Sequence, residues 1–153
     1  MDAQVTNLDY ERLLEFRTRL RRFLHWSEEQ AIAVGLTPAQ HQLLLAIRGS
    51  RDPKGPTIGE VAETLMLRHH SAVGLIDRAE GAGLVRRRID HNDHRVVRLH
   101  LTTVGTRRLG QLSRRHLEEL ERLSTQTGGI WGDGVVRNRD FAEGPLPLTP
   151  RRS

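Results

Sequence analysis

The stretch RRRIDHNDHRVVRLHLT, Arg86 to Thr102, carries five arginines and three histidines. Arginine presents a planar, permanently charged fork of donors that suits phosphate oxygens and base edges. Two short strands can flank the polar tip Asp90-His91-Asn92-Asp93. In the second strand Val96 and Leu99 turn inward and Val97 outward, among Arg98, His100 and Leu101. The chemistry on offer is recognition of a polyanion. A solvated basic hairpin is the plain alternative, and the neighbouring elements decide between the two.

A second set of donors lies just upstream. His69, His70 and Ser71 open the segment RHHSAVGLIDRAEGAGL, with Arg68 before them and Arg78 within it. Side chains at a helix start reach base edges in helix-turn-helix proteins, and the helix end itself favours phosphate. Arg78 is equally suited to pair with Asp77 or Glu80. The eight histidines raise metal binding as well. His25, His41 and His116, with Glu28, come from segments that can converge, but no histidines form an i, i+4 ligand pair on one helix. Neither metal nor cofactor is expected. No Gly-rich phosphate loop, no Gly-x-Ser-x-Gly elbow and no metal-hydrolase motif is found. Ser71 beside His70 is no catalytic pair, because neighbours along a helix point apart. An enzyme is not expected. The absence of cysteine excludes thiolate zinc, disulfides and thiol redox sensing.

These groups need a frame, and the hydrophobic periods supply one. Leu13, Phe16, Leu20, Phe23 and Leu24 predict a long helix over 8–34, capped by Thr6 or Asn7 and ended by Gly35. Its stripe faces either a core or a second subunit. A second helix starts at Thr37-Pro38 and buries Leu43, Leu44 and Ile47. GSRDPKGP, residues 49–56, is a loop on composition. Thr57 and Glu60 form a capping box for a short helix with Ile58, Val61, Ala62 and Leu65 inward. After a break at Met66-Leu67, the next helix buries Val73, Ile76 and Ala79, with Leu75 beside them, and closes at Ala82-Gly83. Helix, tight turn, helix and basic hairpin make a winged helix-turn-helix. Beyond Thr102-Thr103, Leu109, Leu112, His116, Leu120 and Leu123 form one thin seam suited to helix pairing.

The segment from Thr57 to Gly105 resembles the core of the multiple-antibiotic-resistance regulator (MarR) family. The resemblance rests on the helix pair, the IDRAEGAGLV ending and the wing pattern Asp93-His94-Arg95 leading to Leu101-Thr102-Thr103-Val104-Gly105. It covers about residues 8–124. It implies a mainly α fold with a small β-hairpin wing, flanked by long dimerisation helices. It further implies a homodimeric, ligand-responsive transcriptional repressor on a palindromic double-stranded DNA operator. A small aromatic or phenolic effector would bind between the dimerisation helices and the DNA-binding lobe. The wing's Asp93 and Arg95 would pair, aiming the arginine at a narrow minor groove with enhanced negative potential. Arg86, Arg87, Arg88 and Arg98 would meet phosphates, which position without reading sequence. The DNA-contact set so implied is Arg68, His69, His70, Ser71, Gly74, Arg78, Arg86, Arg88, Asp93, His94, Arg95 and Arg98. Two features depart from the family: Gly74 stands where many members carry a polar or basic residue, and a Gly- and Pro-rich tail replaces the usual final helix. The alternative function is a winged-helix interaction module that has lost specific DNA binding.

The organisation is then a domain over 1–124 and a loosely ordered tail over 125–153. Within the domain, the DNA-binding lobe spans about 37–101 and the dimerisation helices about 8–34 and 103–124. Net charge is +5 with histidine neutral, and Lys54 is the only lysine. No apolar run approaches the roughly 20 residues that span a bilayer, and no secretory signal opens the chain. A cytoplasmic protein without membrane association is expected.

Overall fold

Three of the helices begin with the same local device. Thr6, Thr37 and Thr57 each accept a hydrogen bond from the backbone N–H three residues on, while Asp9, Gln40 and Glu60 reach back to the threonine N–H. Each box satisfies two donors that a helix start would otherwise leave open. In this computed structural model, which describes residues 4–127, they open α1 (Asn7–Ala33), α2 (Pro38–Arg48) and α3 (Ile58–Thr64). There follow α4 (His69–Gly81), β1 (Val85–Ile89), β2 (Val97–Leu101) and α5 (Thr103–Thr127). Gly35 ends α1 at φ +77°. Met66 makes the turn between α3 and α4 at φ +53°, a left-handed position held here by a residue with a side chain.

The strands form one antiparallel pair in the register Val85↔Leu101, Arg87↔Leu99 and Ile89↔Val97. The other edge of β2 is also used. The Leu99 N–H donates to the Pro56 carbonyl (2.9 Å), and Thr57 bridges Arg98. The segment after the 49–56 loop therefore lies along the wing. Thr102 fixes the start of α5: its N–H donates to Leu84 O (3.0 Å), its hydroxyl to Gly83 O (2.6 Å), and it accepts from the Gly105 N–H (3.0 Å).

Leu43, Leu44, Val61, Ile76, Leu84, Leu99 and Leu112 are the heart of the core. Two expectations need correction. On α4 the inward residues are Ala72, Leu75, Ile76 and Ala79, whereas Val73 is half-buried. Leu109 and Leu112 are not a pairing seam, because they belong to this same core at 4% and 0% exposure. The chain divides into two units, Met1–His116 and Leu117–Ser153. In the second, Glu119 takes Arg122 in a two-pronged pair, with Nε–Oε2 at 2.8 Å. The described part of α5 runs into the stretch expected as tail; the remainder of that tail, 128–153, lies outside the described residues. Among the described residues no helix is long and apolar enough to cross a membrane.

Candidate nucleic-acid interface

Helix α4 differs from α1, α2 and α3 at its start. Its N-cap is Arg68, which makes no side-chain cap bond. The first N–H groups of α4 are left to solvent or to a ligand, and Arg68, His69, His70 and Ser71 are all exposed around them. With Ala72, Leu75, Ile76 and Ala79 turned into the core, the opposite face is free to be read. Gly74 lies on it. A Cβ built there would come within 3.4 Å of an Arg78 guanidinium nitrogen, so the Arg78 side chain lies over the glycine. Among the described residues Arg78 has no ion-pair partner. Asp77 and Glu80 are instead taken by Arg87 of β1, with Nη2–Asp77 Oδ1 at 2.5 Å and a closer contact to Glu80. The Arg87 N–H also donates to Glu80 (3.2 Å). Expected at a phosphate, Arg87 serves as a brace between the wing and α4.

Arg98 is likewise turned inward. Its Nε donates to Asp90 (3.0 Å), and its Nη1 to Asp52 (2.8 Å) and the Gly55 carbonyl (3.1 Å). Its side chain is 17% exposed. Asp90, placed by sequence at a solvated tip, is 7% exposed. It accepts the N–H groups of Asn92 (2.8 Å) and Asp93 (3.2 Å) as well as Arg98. The Asn92 N–H foremost, then Arg98 and after it the Asp93 N–H, hold its carboxyl down to about 2. Sequence reasoning missed this clamp. An Asp-x-Asn turn opener was visible at Asp90, but nothing local announces its link to Asp52.

The tip itself follows expectation. Asp93 accepts from Arg95 through the backbone N–H (3.1 Å), Nε (3.1 Å) and Nη2 (3.3 Å). These bonds, the side-chain ones first, lower the Asp93 pKa. The Arg95 side chain remains 91% exposed, aimed by its neighbour yet open to a partner. His94 is exposed beside it. Arg86 and Arg88 are exposed too, but strand alternation puts them on the face opposite Arg87.

Elsewhere, two of the three histidines weighed as metal ligands do meet. The rings of His41 on α2 and His116 on α5 lie 4.9 Å apart, with Trp26 4.9 Å and Phe23 6.0 Å from His116. His25 is apart, near Glu29 at 3.5 Å. The Leu112 carbonyl can only accept, so His116 donates to it from Nδ1 (2.9 Å), and its Nε2 accepts the Ser27 hydroxyl (2.6 Å). Burial, and then His116, push His41 down to about 4. Among the described residues no cluster of three His, Cys, Asp or Glu side chains could hold a metal ion.

A helix pair, an uncapped exposed second helix and a braced hairpin with an arginine at its tip make up one arrangement. Residues 34–96, from the end of α1 to the hairpin tip, match the MarR family signature. This region is similar to a MarR-family domain. The fold agrees over a longer stretch. A MarR family protein from Bacillus stearothermophilus superposes with a TM-score of 0.70, at 24% identity over 80% of this chain and 83% of that one. MarR of E. coli in its apo form gives 0.60, at 24% identity over 80% and 86%. A mutant of the S. aureus regulator MepR, bound to an oligodeoxyribonucleotide, gives 0.61, at 20% identity over 80% and 85%. A search of curated protein sequences finds no match. These likenesses are to the MarR winged helix-turn-helix architecture, and the geometry above is how this chain builds it.

Proposed function

We propose that this protein is a DNA-binding transcriptional regulator, a ligand-responsive repressor that binds a palindromic operator as a homodimer. The observation that carries the reading is the pairing of an uncapped, fully exposed α4 start with a tip arginine that is oriented yet free. Arg68, His69, His70, Ser71 and Arg78 present donors toward a major groove, across Gly74. Asp93 aims Arg95 into the adjoining minor groove, with His94 and Arg88 near the backbone. Arg98, spent on carboxylates, is left out of the contact set, and Arg86, farther from the tip on the face that Arg88 shares, is assigned below.

A palindromic site needs two recognition helices about one turn, roughly 34 Å, apart. Exposed apolar residues on the first half of α1, Leu8, Tyr10, Leu13, Leu14 and Phe16, support a second copy as the partner. The aromatic junction of Phe23, Trp26, His41 and His116 supports an aromatic or phenolic effector, because it lies where α1 and α5 meet the DNA-binding lobe. Fluorescence anisotropy with duplex DNA tests the reading. Affinity should fall steeply between low and moderate salt, as released counterions drive binding. Affinity that is flat with salt, or no binding at all, would overturn it.

A further inference from the structure

The outward face of the wing, away from α4, carries a second and separate concentration of cations. Arg86 and His100 sit opposite each other in the strand register, with Arg88 and Arg98 as the next pair on the same face. The 49–56 loop and the end of α2 wall this face on one side. Gly55 runs so close that a Cβ there would lie 3.1 Å from the His100 ring and closer still to the Leu99 carbonyl. At φ +83° the position accepts only glycine readily. Between loop and wing is a hollow of about 300 Å³. Arg48, Ser50, Arg86, His100 and Thr106 are at its wall.

The charge in this hollow is unbalanced. Its one carboxylate, Asp52, is already bonded to Arg98 at 2.8 Å. Among the described residues, neither Arg48 nor Arg86 has an ion-pair partner. Ser50 accepts the Asp52 N–H, and its hydroxyl proton is left to donate. His100 feels the crowding: burial first, then Arg88 and Arg86, lower its proton affinity. Two guanidinium forks and two hydroxyls line a space whose one carboxylate is already engaged by Arg98. A tetrahedral dianion satisfies such a set better than a planar monoanion, because its oxygens reach several donors at once.

We propose that the hollow between the 49–56 loop and the outward wing face, around Arg48, Arg86 and His100, binds a phosphate group carried by a small molecule. The site is distinct from the DNA-reading surface. Arg87, on the opposite side of the same strand, is the residue that faces α4.

The test follows the His100 imidazole by NMR in the full-length protein. Inorganic phosphate and a nucleoside monophosphate are titrated separately, at constant ionic strength held with chloride. A saturable shift of His100 is expected with either probe. Chloride alone should give none. Arg86→Gln and Arg48→Gln should each weaken the shift at least five-fold, and Arg95→Ala should leave it unchanged. Arg48 is exposed at the end of α2, so its variant keeps the test decisive if Arg86→Gln fails to fold. No saturable shift, or an equal loss in Arg95→Ala, would overturn the site. In phosphate-free buffer Arg86→Gln should bind duplex DNA within two-fold of the parent. A loss as large as that of Arg95→Ala would put Arg86 on the DNA backbone and refute the proposal. A parent protein that binds no DNA but still shows the His100 shift would refute the regulator reading and uphold this one.

Discussion

Gly105, in the first turn of α5, packs directly against the backbone of Leu84. A Cβ at this position would lie inside 3.0 Å of the Leu84 carbonyl oxygen and 3.1 Å from its carbon. The obstacle is backbone, so no side chain can swing aside. Gly105→Ala must push the start of α5 away from residues 83–85, stretching both Thr102 bonds to that segment, to Leu84 O and Gly83 O. Overpacking of this kind costs about 1–3 kcal/mol, and weakening two hydrogen bonds adds on the order of 1 kcal/mol. Alanine returns about 1 kcal/mol through its better helix propensity. The net expectation is a destabilisation of roughly 1–3 kcal/mol. Gly110 lies in the same helix with nothing within 4 Å of its would-be Cβ. Gly110→Ala meets only the propensity effect and should stabilise by about 0.5–1 kcal/mol. Urea unfolding followed by circular dichroism, at one fixed protein concentration because association shifts the midpoint, gives both numbers. Two variants that move in the same direction would refute the close-approach account of the Leu-Thr-x-x-Gly motif.

Three further outcomes are expected. Arg95→Ala should weaken operator binding by on the order of 1–3 kcal/mol with unfolding unchanged; parent-like binding in a titration would remove the wing from the interface. Replacing His69, His70 and Ser71 together by alanine should change the preferred site selected from a random duplex pool more than it changes affinity for bulk DNA, and an unaltered site would place base reading elsewhere. His41 is held neutral by burial, with its pKa at about 4 against an ordinary 6.5. The unfolded chain then binds the extra proton between those values, so stability present above about pH 6.5 drains away as pH falls toward 4. At about 1.4 kcal/mol per pH unit the loss is on the order of 2–3 kcal/mol. His41→Leu should flatten that slope, and an equal slope in the variant would assign it to other groups.

What was legible in the sequence is what acts over three or four residues. The Thr-x-x-Gln and Thr-x-x-Glu boxes, Pro38 at a helix start and Gly35 at a helix end are local chemistry, and the helices begin and stop where they say. The Asp93–Arg95 pair was implied by the family resemblance, and it too spans only two residues of one tip. The arginines that are held by carboxylates are held for non-local reasons. Arg87 and Arg98 look like Arg86 and Arg88 in sequence, and strand alternation alone does not separate them. Their partners separate them: Asp77 and Glu80 are reached from β1, and Asp52 lies 46 positions from Arg98. Leu109 and Leu112 misled similarly. A thin seam on a charged helix serves either another helix or a core, and the fixing of Thr102 to Gly83 and Leu84 is what turns this one inward.

The braces also bear on how a ligand could act on such a protein. The wing is tied to three separate elements: to α4 through Arg87, to the 49–56 loop through Arg98, and to the start of α5 through Thr102. Bending the wing alone would strip carboxylates of partners at two of these ties, and a half-buried carboxylate without its counter-ion is a poor alternative state. Only the tip beyond Asp90 is outside the clamp, and there Asp93 restricts Arg95 to a local choice of direction. A ligand that weakens DNA binding therefore gains little by distorting the hairpin. Its cheaper route is to leave α4 and wing as one body and change the spacing between two such bodies in a dimer. The side chains where that spacing would be set are those of α1 and the His41–His116 contact, where α1, α2 and α5 meet. On the proposed function, the aromatic junction, and not the basic hairpin, is then the place to look for release of DNA.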